Sequence, residues 1–160
     1  MKKIVLLVTL LTSLTFLVEP QAEVLEDTKK FIDSGLRFQQ SGDHEKAADQ
    51  FKQAIRNQPG YPDSYLQLGF SLQTLKKYRQ AISAYKTGLG INNRHPFAPE
   101  AYYNMGVSSD ELGEGPDAID HMKKSLQAYT DRSDYGGVYK VGRYIEHLSK
   151  KYPNPGTQPK

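Results

Sequence analysis

One short phrase occurs three times in this chain: an aromatic residue, three further residues and a glycine. It reads FIDSG at 31–35, YLQLG at 65–69 and YYNMG at 102–106. The first two copies are 34 residues apart, and the third follows a three-residue insertion at 96–98. Self-similarity at a fixed period of this length indicates stacked supersecondary units, each of which buries its apolar face against a neighbour. The chain is therefore predicted to be a repeat protein.

Each unit shows the apolar spacing of two helices. In the first unit Phe31, Gly35 and Phe38 fall on one helical face, at i, i+4 and i+7. Gly42 comes next, where a glycine in the left-handed conformation can end a helix. A second apolar run then begins at Ala47. In the later units Ala81 and Ala118 match Ala47, and Gly113 matches Gly42. Prolines suited to the first turn of a helix occur at 62, 99 and 116.

This pattern resembles the tetratricopeptide repeat family, with units at 28–61, 62–95 and 99–132. The resemblance implies an all-α fold, an α-solenoid of three helix-turn-helix units. The glycines and alanines of the repeated phrases let the paired helices approach closely, and the aromatic residues fill the space beside them. Such a helix pair leaves apolar surface uncovered, so neighbouring units must stack on it.

The sequence after the third unit repeats only the first-helix pattern. Val138, Val141, Gly142 and Ile145 have its spacing, and no second helix follows. We therefore predict a capping helix at 134–151, which completes a repeat domain at 23–151. The proline-rich remainder, 152–160, is predicted to be disordered, since proline cannot continue a helix.

The amino terminus has the layout of a secretory signal peptide. Lys2 and Lys3 precede an uncharged apolar run from Ile4 to Val18, and Ala22 is the expected last residue of a leader at 1–22. Cleavage would export the domain, and a bacterial periplasm is the expected destination. The alternative is an uncleaved anchor, which would also hold the domain outside the cytoplasm because the lysines favour the cytoplasmic side.

The composition argues against most chemical functions. The formal net charge of +3 is not gathered into a basic run, so a nucleic-acid partner is not expected. The chain has no cysteine, and its histidines are scattered, so neither a metal site nor a cofactor is predicted. We predict that the protein is not an enzyme. The rival reading, an enzyme or a small-molecule binder, would use His121 and Tyr129.

A protein or peptide partner is expected instead. In the family that the chain resembles, the first helix of each unit lines a concave face. The resemblance implies a partner-binding set of Ile32, Leu36, Gln39, Leu66, Phe70, Gln73, Tyr103, Val107, Asp110, Tyr139 and Arg143. The alternative is that adjacent first helices pack together and hide much of this concave face.

The chemistry of this face sets the expected ligand. Heat-shock chaperone adaptors of the family hold a carboxylate at five places, which here carry Ile32, Leu36, Gln67, Glu100 and Asn104. None of these is a cation, so an apolar or aromatic segment is the expected ligand and a scaffold or adaptor the expected role. The alternative function is self-assembly into a homo-oligomer, with Phe97 of the insertion as a possible contact.

Overall fold

A computed structural model describes residues 24–153, and every regular element in that range is an α-helix. The expected all-α class is confirmed. The proposed leader and residues 154–160 lie outside the described residues. Among the described helices, none is both long and apolar enough to cross a membrane.

Within residues 24–153, seven helices follow one another with short turns between them. The first, α1, is helical over 24–40. The others are α2 (His44–Asn57), α3 (Pro62–Thr74), α4 (Tyr78–Ile91), α5 (Ala98–Glu111), α6 (Gly115–Thr130) and α7 (Tyr135–Lys151). From α2 onward each helix packs against the next, and α3 also contacts α5. The predicted solenoid, three helix pairs followed by a capping helix, is thus the observed architecture.

The turns within the helix pairs share one backbone conformation. Gly42 and Gly113 have φ values of 80° and 74°, as the sequence predicts. The second unit has Lys76 at the same place, with φ at 58°. A side chain at that position is strained, because Cβ approaches the following carbonyl oxygen in the left-handed region. No feature of the sequence predicts a left-handed lysine at this position.

In each of the three helix pairs, a glycine of the first helix lies close against a large side chain of the second. A Cβ atom placed on Gly35 would lie 2.6 Å from a ring carbon of Phe51, and one on Gly106 would lie 2.8 Å from Cε of Met122. The alanines at the matching second-helix positions are fully buried: Ala47, Ala81 and Ala118. Small residues therefore set the interhelical distance, while one large side chain of the second helix covers each glycine.

The end of the chain differs from the expected disordered tail at its first residue. The ring of Tyr152 packs against the backbone of Gly115, and its hydroxyl donates to Asp110 Oδ1 at 3.0 Å. Apolar contact and a buried acceptor therefore order Tyr152, although proline follows at once. The capping helix α7 is thus tied to α5 and α6 beyond its last turn.

Candidate functional site

A groove of about 340 Å³ runs along the first helices of the stack. Its walls come mainly from α3 and α5, with single residues from α1, α4 and α7 and from the loop before α5. The lining residues are Gln39, Leu66, Gln67, Phe70, Tyr85, Phe97, Glu100, Ala101, Tyr103, Asn104 and Lys140.

Four aromatic rings line this groove, those of Phe70, Tyr85, Phe97 and Tyr103, and all but the buried Tyr85 keep exposed area. Phe70 is 44% exposed and Phe97 is 50% exposed, which is unusual for phenyl rings. Tyr103 is half-buried, and its ring meets that of Tyr144 edge to face with 5.7 Å between centroids. The groove thus presents apolar area that nothing else in the described chain covers.

The inserted loop holds Phe97 in place. The Arg132 guanidinium donates to the carbonyl oxygens of His95 and Pro96. The Phe97 amide donates to His95 Nδ1 at 3.1 Å, and His95 Nε2 lies 3.2 Å from Asp63 Oδ1. These contacts from α3 and from the turn after α6 fix the loop, so the inserted residues before the third unit direct a phenyl ring toward the groove.

The floor of the groove is a polar network between neighbouring first helices. Gln39 Nε2 donates to the Gln67 carbonyl and to Ser71 Oγ, at 3.1 and 2.9 Å. Asn104 Nδ2 donates to the Tyr85 hydroxyl at 3.2 Å, and burial raises the pKa of that hydroxyl. These groups already satisfy one another, so they hold the groove's shape and leave recognition to the rings and charges around it.

The structure divides the predicted partner-binding set. Gln39, Leu66, Phe70 and Tyr103 line the groove, and Tyr139 and Arg143 are exposed on α7. Ile32 and Leu66 are buried in the core, while Leu36 and Val107 are partly buried against it. Gln73 is half-buried and donates to the Asn104 carbonyl. Packing between first helices therefore buries part of the predicted partner-binding set.

Asp110 is withdrawn from the groove altogether. Its side chain is buried and accepts hydrogen bonds from the Tyr144 and Tyr152 hydroxyls, both at 3.0 Å, and from Lys151 Nζ at 2.7 Å. Burial opposes ionisation, but these donors hold the pKa of the Asp110 carboxyl below its ordinary value. Asp110 anchors the capping helix, so a ligand in the groove cannot reach it without displacing that helix.

Lys140 is the groove residue that sequence reasoning missed most clearly. It is absent from the predicted partner-binding set, yet its Nζ lies 3.7 Å from the centroid of the Tyr103 ring. That distance makes a cation–π contact. The neighbouring residue Tyr139 was predicted to line the groove, and a helix rotates about 100° per residue. The sequence could place α7 beside the groove but could not fix its rotation.

His121 and Tyr129, the residues of the alternative enzyme hypothesis, do not lie close together. His121 and Tyr129 are both buried, and their eight-residue separation on α6 corresponds to about 12 Å along the helix axis. His121 Nδ1 is 3.3 Å from Ser109 Oγ, and burial lowers the pKa of its imidazole. Among the residues described, no group of three or more histidines and carboxylates could hold a metal ion.

Stacked helix pairs with a groove along their first helices are the tetratricopeptide repeat fold, and comparisons with known proteins agree. A model of the tetratricopeptide repeat family matches residues 66–133. A small glutamine-rich tetratricopeptide repeat-containing protein of Mycosarcoma maydis is 32% identical over 62 residues, 39% of this chain and 18% of that protein. The chain spans less than a fifth of the length of the curated relatives it matches, with 11% to 18% covered.

Solved structures show the same fold at low identity. The first repeat domain of Spaghetti (RPAP3), bound to the HSP90 peptide SRMEEVD, superposes with a TM-score of 0.70 at 15% identity, covering 81% of this chain and 95% of that one. The Yersinia enterocolitica type III secretion chaperone SycD, in complex with a peptide of the translocator YopD, gives a TM-score of 0.70 at 18% identity. There the match covers 77% of this chain and 92% of the other.

Proposed function

We propose that this protein is a non-enzymatic interaction module whose groove holds an apolar or aromatic segment of a partner protein. The observation that carries this proposal is the exposure of Phe70 and Phe97 in the lining of one groove. Exposed rings in a shaped groove are the usual anchor points of peptide recognition. Both structural neighbours described above hold a peptide, which supports the same class of ligand here.

The proposed place of action is the cell envelope. Its support is the amino-terminal layout of two lysines, an apolar run and Ala22. Mass spectrometry of the protein recovered from the envelope fraction of the native cell tests this. A mature chain that begins at Glu23 is expected, and recovery of the protein in the cytoplasm with its leader intact would contradict export.

The binding proposal is tested by affinity capture from native envelope extract. The baits are the wild-type protein, the double variant Phe70→Asp/Tyr103→Ala and the control Tyr135→Ala. Tyr135 is 81% exposed but lies outside the groove. We expect one partner to be retained by wild type and by the control and lost from the double variant. Equal capture by all three baits would move the binding surface away from the groove.

Self-association is the second candidate, and one observation favours it. Tyr135 and Tyr139 are 81% and 72% exposed one turn apart on α7, so the end of the stack presents two uncovered rings. Light scattering over a range of concentrations tests the idea with wild type and with Tyr135→Asp/Tyr139→Asp. Dimers that vanish in the variant would support it, and a concentration-independent monomer would exclude it.

A further inference from the structure

We propose that the segment bound in the groove is acidic as well as aromatic, and that its carboxylate pairs with Lys140 while its apolar side chain lies against Phe70 and Phe97. This inference rests on the proposed function and adds the charge of the ligand. It names a recognition residue on the capping helix, outside the three repeats themselves.

The charge of Lys140 has no partner among the described residues. Among the described residues Lys140 forms no ion pair, whereas Lys150 pairs with Glu146 and Lys151 with Asp110, each at 2.7 Å. Lys140 is also the only cation among the residues that line the groove within the described chain. Its ammonium group therefore has donors available to a ligand, and the Tyr103 ring holds it at the groove wall.

A second cation lies on the same side of α7. Arg143 follows Lys140 by three residues, so both lie within about 60° on the helix surface. Its Nη1 is 3.6 Å from Glu146 Oε2, at an exposed site where that carboxylate also binds Lys150. Exposed pairs of this geometry contribute little. The α7 side of the groove is therefore positive, which is charge complementarity for an anionic ligand.

An acidic side chain in the groove lining orients that ligand. Glu100 lines the groove one turn before Tyr103 on α5. Burial, together with the nearby Glu100 carboxylate, raises the pKa of the Tyr129 hydroxyl, so Glu100 places negative charge on this part of the groove. Glu100 would repel a second carboxylate near the start of α5. A ligand with one acidic group therefore places it at α7 and its apolar part toward the two phenyl rings.

The groove's size limits what can enter. At about 340 Å³ it lies at the small end of ligand pockets, which typically span roughly 300–1,000 Å³. It therefore fits a few side chains of a peptide. Lys140 is exposed in the free protein, and a bound peptide would cover part of it. A carboxylate that meets its ammonium group beside the aromatic ring would then form a stronger pair than in open water.

Selection from random 12-residue peptides with the purified full chain tests the proposal. Peptides are kept for analysis only if Phe70→Ala abolishes their binding. The first library allows Asp and Glu and has an amidated C-terminus. The second library excludes Asp and Glu and has a free C-terminal carboxylate. Enrichment of acidic residues in the first library would assign the recognised carboxylate to a side chain, whereas binders found only in the second library would assign it to the C-terminus of the peptide.

Selected peptides then report on Lys140 directly. We expect Lys140→Gln to weaken their binding about tenfold, the effect of one charged hydrogen bond. Lys140→Arg should restore most of it, and Lys123→Gln, an exposed lysine on α6 away from the groove, should change nothing. Replacing the peptide's own Glu with Gln should produce the same loss in wild type and no further loss in Lys140→Gln.

The two possible failures are distinguishable. If Phe70-dependent peptides are neutral, and Lys140→Gln binds them as wild type does, the charge inference is wrong while the aromatic groove stands. If no selected peptide depends on Phe70, the proposed function fails and the inference fails with it. A basic consensus among Phe70-dependent peptides would also overturn the inference, since it would make Glu100 the recognition residue.

Discussion

The ring of Tyr85 lies directly on the backbone of Gly69. A Cβ atom placed on that glycine would be 2.8 Å from both Cδ1 and Cε1 of the ring, closer than real Cβ contacts allow. In α7 the repeat pattern places Gly142 at the equivalent position, and a Cβ atom there would meet nothing within 4 Å. The same residue thus has opposite packing in a complete pair and in the cap.

This relationship predicts opposite effects from one substitution. Gly69→Ala should destabilise the protein by about 1–3 kcal/mol, because the ring must move within a close-packed pair. Gly142→Ala should stabilise it by about 0.5–1 kcal/mol, because alanine is the better helix former and has free space. Urea denaturation followed by circular dichroism measures both free energies of unfolding. Equal effects of the two changes would show that the assigned repeat register is wrong.

Most of the fold could be predicted from the sequence because its determinants are local and repeated. Gly35, Gly69 and Gly106 each mark a first helix, and the left-handed Gly42 marks a turn. The period then fixes how successive pairs stack, since every pair uses the same contact. In a repeat architecture, the residues of one unit therefore specify both its own helix pair and its contact with the next unit.

The groove was harder to predict because it depends on how helices distant in sequence are rotated. Leu66 and Phe70 lie on one helical face, yet Leu66 is buried and Phe70 is 44% exposed. Phe97 enters the groove through contacts between Arg132 and its loop. Lys140 enters through a cation–π contact with Tyr103, about 37 residues away in sequence. Periodicity within a single helix contains none of these relationships.

Lys76 offers a stabilising substitution. Its φ of 58° is the conformation that glycine adopts at 42 and 113, and an L-residue pays about 1–2 kcal/mol for it. Lys76→Gly should therefore stabilise the protein by about 0.5–1 kcal/mol after the entropy lost by glycine on folding is subtracted. Gly113→Ala is the matched opposite and should destabilise it by about 1–2 kcal/mol. Thermal melts check both, and a destabilised Lys76→Gly would contradict the strain argument.

Asp110 should make the attachment of the capping helix sensitive to acid. Its folded-state pKa lies below the ordinary value of 3.8 because Lys151, Tyr144 and Tyr152 donate to the carboxylate. A lowered folded pKa stabilises the fold above the unfolded value, and that stabilisation is lost as the pH falls through the folded value. The free energy of unfolding of the wild type should therefore fall between pH 7 and pH 3. The fall should be smaller in Asp110→Asn.

The matched control for Asp110 is a carboxylate with an exposed partner. Asp49 pairs with Lys52 at 3.1 Å on the surface of α2, with its side chain 72% exposed. At pH 7 Asp110→Asn should cost about 1–2 kcal/mol, the effect of losing charged hydrogen bonds, whereas Asp49→Asn should cost less than about 0.5 kcal/mol. If both variants melt like wild type, the Asp110 cluster does not hold α7 in place.

His121 should produce a separate pH dependence at higher pH. Burial, with help from the nearby Lys86, lowers its folded-state pKa below the ordinary 6.5. The unfolded chain then binds the proton more readily than the folded one, so stability is present above pH 6.5 and falls as the pH drops below it. His121→Gln should reduce the difference in unfolding free energy between pH 7.5 and pH 5.5. His147→Gln, on the exposed surface of α7, should leave that difference unchanged. If His121→Gln fails to reduce this difference in unfolding free energy, the imidazole is protonated as easily in the folded protein as in water. Its burial against Ser109 would then carry no electrostatic cost.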